Sequence, residues 1–212
     1  MGLKDKILWK IYRLSIKPVN RLLVLSDRLR NLDFYRGIDN RIDDGSDYEC
    51  THLRMHGMLK TICEEAGGED AILDVGCGKG RMLWFFSQYP FRLVDGIEYD
   101  PEIAAIARSN LEKLGLNSRV FLMDVCDFTQ WNDYNWFYFY NPFPHRGMEI
   151  CLQKLLDSLR TAPRTLHIIY VNPVCHQLLL DRGFTEVPAE YSLWEKLWFP
   201  NLRYLRRYRY DP

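Results

Sequence analysis

From residue 71 to residue 181 the chain alternates short apolar runs with helix-like segments, and this limits its fold more than any other feature. Residues 71–75, 92–99, 119–124, 136–141 and 165–172 read as strands, and residues 81–88, 101–114, 148–160 and 174–181 as helices. The strands are apolar almost throughout, as in AILDV and LHIIYV, rather than alternating. Such strands are buried on both faces, which implies a parallel sheet covered by helices on each side. Residues 184–210 read as two further strands with an aromatic connection. The expected fold is therefore α/β, a doubly wound and mostly parallel sheet of seven strands.

Ahead of this unit, Leu3, Ile7, Ile11 and Leu14 recur at helical spacing until Pro18. A second amphipathic stretch carries Leu22, Leu25, Leu29 and Leu32. Residues 33–48 are polar and rich in Gly and Asp, which predicts a loop, and a helix over 51–65 leads to Gly67-Gly68. The expected division is an N-terminal helical extension over 1–47 and one domain over 48–212.

Net charge is zero, but it is segregated: residues 1–30 carry eight basic and two acidic side chains, and residues 196–212 five and one. Basic ends flank an acidic body, and the balanced total argues against nucleic acid as a partner. The N-terminal helices have two readings, a cap packed on the domain or a peripheral contact with an anionic membrane. Six cysteines at 50, 63, 77, 126, 151 and 175 form no C-x-x-C pair. The opening MGLKDKILWKIYRLSIKP has no apolar run of signal-peptide length, and Lys6 stands where a myristoylated chain has Ser or Thr. A cytoplasmic, reducing setting with free thiols is the expectation, with the membrane-peripheral variant beside it.

The first strand runs into LDVGCGKGR, with glycines at 76, 78 and 80 between a strand and a helix. Glycines there let the backbone turn tightly and approach a ligand. The spacing is neither the G-x-G-x-x-G of dinucleotide binders nor a P-loop. Asp74, two residues before Gly76, would repel a pyrophosphate and attract a cation. With Glu98 ending the second strand and Asp124 ending the third, the chain resembles class I, Rossmann-like methyltransferases that use S-adenosylmethionine (SAM). SAM carries an ammonium and a sulfonium and no phosphate, which suits an acidic loop. The resemblance spans residues 70–172. It implies that the backbone at Gly76, Gly78 and Gly80 approaches the methionine part of SAM and that Asp74 faces the ammonium. It further implies that Glu98 takes the ribose hydroxyls, that Asp124 accepts from the adenine amino group, and that the Val125 N–H meets a ring nitrogen.

The fourth strand ends in YFYNPFPH, Tyr138 to His145, where two prolines stiffen the chain. In the family this end lies beside the transferable methyl. Methyltransferases of amino nitrogens often carry Asn/Asp-Pro-Pro-aromatic there. This chain matches Asn141 and Pro142 but has Phe143 in place of the second proline. It resembles more closely a subgroup with a Tyr-Asn-Pro-Phe strand end and a later Tyr-x-Asn-Pro, here Tyr170 to Pro173. Asn141, Tyr140 and His145 are the candidates for catalysis, Asn141 also for contact with the cofactor. Phe143 is a candidate for the acceptor side. His145 could take the acceptor proton near neutral pH or be a surface or capping residue. Tyr140 or Tyr170 could orient the acceptor or belong to the core. Cys50, His52 and His56 lack a fourth ligand for zinc, so no metal is expected. Tyr48 to His52 resembles a segment that precedes the SAM loop in the subgroup.

The tail from Tyr191 to Tyr210 interleaves aromatics with arginines and reads as a last strand with an acceptor lid. The expected function is methyl transfer from SAM to a small-molecule or glycan acceptor. The alternative is a SAM-binding scaffold without chemistry, docked on a membrane or protein through its basic ends.

Overall fold

The computed structural model describes residues 22, 24–34, 55–140, 145–188 and 205–212. After a helical stretch over 24–29, the chain forms α1 (Met55–Cys63), β1 (Ala71–Val75), α2 (Arg81–Phe86), β2 (Leu93–Glu98), α3 (Pro101–Lys113) and β3 (Val120–Leu122). Then come β4 (Trp136–Tyr140), α4 (His145–Ser158), β5 (Leu166–Val171), α5 (His176–Asp181), β6 (Thr185–Val187) and β7 (Leu205–Tyr210). The strands make one seven-stranded sheet in the order β3-β2-β1-β4-β5-β7-β6. All pairs from β3 to β5 are parallel, while β7 runs antiparallel to both β5 and β6. The doubly wound, mostly parallel architecture expected from the alternation is therefore present, and residues 184–210 contain the two expected strands.

Local chemistry explains the element boundaries. Asp100 caps α3 by accepting from the N–H groups of Glu102 (2.8 Å) and Ile103 (3.0 Å), with Pro101 in the first turn. Gly115 follows α3 with φ +67° and Gly183 follows α5 with φ +89°, conformations that stop a helix at little cost in glycine. Helix α4 begins at His145, three residues ahead of the expected 148, directly after Pro144. The two faces of the sheet bury different sets of side chains. Ile72, Trp136, Tyr138 and Ile169 meet α1 and α2 on one side. Leu73, Phe137, Phe139 and Ile168 meet α4, α5 and the Phe128–Tyr134 aromatics on the other. Successive residues of β1 and β4 thus enter opposite cores, which is why these strands show no polar alternation.

Near the amino ends of β4 and β5, His167 stacks on Trp136 with centroids 4.3 Å apart, and the Arg207 guanidinium lies over the same indole at 5.2 Å. Burial, then the charges of Arg207 and Arg209, lower the His167 pKa from 6.5 to about 4. The native state therefore resists a proton that the unfolded chain accepts, and stability falls as pH drops from about 6.5 to about 4. Urea unfolding midpoints across that window are expected to decline, with a shallower decline in His167→Phe. Identical pH profiles for the two proteins would remove His167 as the cause.

Candidate active site

The chain builds β1, β2 and β3 outward on one side and then crosses back to place β4 on the other side of β1. The carboxyl ends of β1 and β4 meet at this reversal, where ligands sit in open α/β sheets. Val75 pairs with Phe139, so Tyr140 lies one step beyond, level with the start of the glycine loop. The loop leaves β1 through Gly76 (φ +80°), Gly78 (φ +53°) and Gly80 (φ +82°). All three need the left-handed region, the physical requirement behind the G-x-G-x-G spacing. The N–H groups of Gly76 and Cys77 both donate to the Ile97 carbonyl at 2.9 Å, folding the loop over β2. Gly96 makes room for this fold, because a Cβ there would lie 2.5 Å from Cys77 Cβ and 2.7 Å from its Sγ. Gly96→Ala is therefore expected to displace the loop and destabilise the fold by about 1–3 kcal/mol, as a small-to-large change in a filled site does. Thermal melts read the loss, and an unchanged midpoint would show that the loop can yield.

The three acidic residues singled out in the sequence stand in different environments. Asp74 is 3% exposed, and among the described residues no hydrogen-bond donor meets its carboxylate. Burial, then the nearby Glu98 carboxylate, raise its pKa well above the ordinary range. Glu98 is also buried and its pKa is raised by burial, but three N–H donors offset part of that rise. One carboxylate oxygen accepts from Gly78 N–H at 2.9 Å, and the other from Tyr99 and Asp100 N–H at 3.0 Å each. Glu98 thus bridges β2 to the glycine loop, a structural duty that strand-end position alone does not reveal. Asp124 is exposed and accepts from Cys126 N–H at 2.7 Å, capping the single turn Val125–Asp127. Val125 is buried beside it.

Tyr140 ends β4 half-buried, at the expected place. Asn141 and Phe143 lie outside the described residues, as do Cys50, His52 and the side chain of His56. His145 opens α4 with its side chain 65% exposed and Nδ1 3.7 Å from Glu149 Oε1. Tyr170 is wholly buried in the core between Phe139 and Tyr208, so of its two readings the structure supports packing. Asn172 follows β5 with φ +51°, one of two non-glycine residues in the left-handed region among those described. Its position before Pro173 makes that conformation more costly.

One arrangement escaped the sequence reading. Lys79, in the middle of the loop, is 0% exposed and forms an ion pair with Asp33 at 3.1 Å. Asn110, on α3, donates to the carbonyls of Lys79 (3.0 Å) and Asp33 (3.2 Å) and accepts from Asp33 N–H (2.9 Å). Asp33 is therefore joined to the glycine loop. Only the polar character of 33–48 was visible in the sequence, and nothing local marked Asp33.

The donor and acceptor set fits SAM. A buried carboxylate at Asp74 with no donor among the described residues suits a cation, and Gly76 leaves an exposed position at the start of the loop. Comparison with known families agrees: residues 72–162 match the family model described as a methyltransferase domain. Residues 72–162 thus resemble a class I methyltransferase domain. Members of this class generally take their methyl group from SAM. A Chlamydia trachomatis serovar D protein named an uncharacterized RNA methyltransferase is 28% identical over 142 residues, covering 62% of this chain and 35% of that protein. The chain thus spans about a third of that relative's length. Among solved structures, an rRNA methylase from Streptococcus thermophilus superposes with a TM-score of 0.51 at 15% identity, covering 76% of this chain and 97% of that one. The N-methyltransferase NodS from Bradyrhizobium japonicum WM9 gives 0.53 at 14% identity, covering 74% and 94%. These two likenesses establish the shared methyltransferase fold.

Proposed function

We propose that this chain is a SAM-dependent methyltransferase acting on a small-molecule or glycan acceptor at the carboxyl ends of β4 and β5. The observation that carries the reading is Asp74, a buried carboxylate with no donor among the described residues, at the head of a three-glycine loop. A bare structural role gives no reason to retain that cost, whereas a ligand ammonium would compensate it. When bound, SAM would supply an electrophilic methyl carbon on its sulfonium. Gly76, Gly78 and Gly80 would lie against its methionine part, Glu98 would accept from the ribose, and Asp124 with Val125 N–H would meet the adenine. Glu98 can do so while still holding the loop, because the oxygen that meets Gly78 N–H keeps one lone pair for a ribose hydroxyl.

Transfer from a sulfonium depends mainly on alignment, and positioning alone can lower a barrier by up to about 7–11 kcal/mol in well-oriented systems. Tyr140 and Asn141 are assigned to that task, Phe143 to the acceptor face, and His145 to accepting the acceptor proton. The strained Asn172-Pro173 corner at the neighbouring strand end supports a rigid rim in the same place. The small-molecule or glycan reading draws support from β7. There Arg206 pairs with Glu186 (2.7 Å), Arg207 with Glu65 (2.6 Å) and Arg209 with Asp211 (2.9 Å). Arginines neutralised within the chain offer little to a phosphate backbone. The RNA methyltransferase names among the relatives make RNA the competing acceptor. Methyl-labelled SAM incubated with a cell extract, then split into protein, nucleic acid, lipid or glycan, and small-molecule fractions, decides between them. Label in the last two fractions, absent with Asn141→Ala, is the expected result. Label in the RNA fraction overturns the acceptor assignment, and no label despite SAM binding favours the non-catalytic scaffold.

A peripheral membrane contact has its own supporting observation. Leu22, Leu25 and Leu29 are 66%, 52% and 81% exposed along one helical stretch, with Arg28 and Arg30 exposed beside them. Apolar and basic side chains in this order suit an anionic bilayer. Vesicles containing phosphatidylserine should retain the chain but release a Leu22→Ser, Leu25→Ser, Leu29→Ser variant. Equal retention of both would end this reading.

A further inference from the structure

We infer that residues 27–34 are a functional part of the cofactor site, and that Asp33, acting through Lys79, is a positioning residue for the glycine loop. This rests on the reading of that loop as the SAM site. Segment 27–34 is built to hold one shape. Asp27 is buried; its carbonyl accepts from Leu32 N–H at 2.7 Å and its carboxylate from Phe34 N–H at 3.0 Å. Asn31 takes φ +57° to turn the chain after the helical stretch. Phe34 is 1% exposed, stacks on Trp84 of α2 with centroids 6.4 Å apart, and has the Arg81 guanidinium 5.6 Å from its ring. This corner presents Asp33 to Lys79.

The location of Lys79 makes the contact consequential. Its neighbours Gly78 and Gly80 are both in the left-handed region, where the backbone has the most freedom to reorient. A loop of three such glycines would lose much entropy on ordering, so something must hold it ready for a ligand. Glu98 holds it from the β2 side, through Gly78 N–H. Asp33 and Asn110 hold it from the other side, through the Lys79 ammonium and carbonyl. A fully buried ammonium is costly without a close carboxylate, and Asp33 supplies one at 3.1 Å, so docking of segment 27–34 favours this position of Lys79. Docking and the ligand-ready loop are therefore coupled. By reciprocity, SAM must strengthen docking by the same factor by which docking strengthens SAM binding.

Two measurements on the full chain test this. The first is amide hydrogen exchange at Asp33 and Phe34, with and without S-adenosylhomocysteine or SAM. Exchange should slow by about 5- to 150-fold at saturation, the usual range of coupling between sites. The second is SAM affinity by calorimetry for Asp33→Asn and Asp33→Glu, each with a thermal melt. Asp33→Asn should weaken SAM binding by about tenfold or more within that range, and Asp33→Glu should restore most of it. A merely structural contact would lower the melting temperature of Asp33→Asn and leave its SAM affinity alone. Unchanged affinity in Asp33→Asn with unchanged exchange at residues 33 and 34 overturns the inference while leaving the SAM site standing. Failure of the unmutated chain to bind SAM would instead overturn the cofactor reading, and this inference with it.

Discussion

Asp74→Asn is expected to keep the fold, melt at the same or a slightly higher temperature, and bind SAM about 10- to 100-fold more weakly, the range for losing a hydrogen bond to a charged group. Stability and binding separate here because nothing among the described residues pairs with the carboxylate. Its native pKa lies well above the ordinary value, through burial first and Glu98 second. Between those two pKa values the folded chain holds a proton that the unfolded chain has released, so this group's contribution to stability falls as pH rises. Asparagine never ionises and escapes that cost. Binding a ligand ammonium has the opposite pH sense. The ammonium favours the ionised carboxylate, so SAM affinity should rise with pH across the same window and binding should release protons. Calorimetry in two buffers of different ionisation enthalpy would detect the released protons. Wild-type affinity in Asp74→Asn would dismiss Asp74 as the ammonium partner, and a lower melting temperature with intact affinity would make it a structural residue.

Glu98→Ala should instead damage both properties. It removes the acceptor for three backbone N–H groups, those of Gly78, Tyr99 and Asp100. A buried donor left without a partner costs about 1–3 kcal/mol, so the melting temperature should fall by several degrees. The glycine loop also loses its tie to β2, so SAM binding should fall below detection at micromolar protein. Glu98→Gln distinguishes charge from geometry. A glutamine keeps one acceptor oxygen but turns an NH2 toward an N–H on the other side, setting donor against donor. It should therefore behave nearly as badly as alanine. If Glu98→Gln kept both stability and affinity, the three-donor clamp would be irrelevant and the ribose role would need another residue.

The contrast between these residues shows how far the sequence could be read. Both were legible as acidic strand ends, because period, glycine spacing and strand length are local properties of the chain. The strands expected at 71–75 and 136–141, the start of α3 at Pro101 and the turn through Gly76, Gly78 and Gly80 were legible for the same reason. The start of α4 was less so, since the residue just ahead of it in the sequence is Pro144 and not a Ser, Thr, Asp or Asn. The insertion of β7 between β5 and β6 was also hidden, because strand order within a sheet has no local signature.

By itself, then, the sequence determined a parallel α/β sheet, the position of its glycine loop and the acidic character of that loop, since these follow from residue type and spacing. Tertiary structure alone decided what each acidic residue does. Among the described residues it left Asp74 without a donor, gave Glu98 three, and set Asp124 at the head of a short turn. It also paired Lys79 with Asp33 across 46 positions of chain. Contacts of that range depend on which surfaces the fold brings together, and no window of neighbouring residues encodes them.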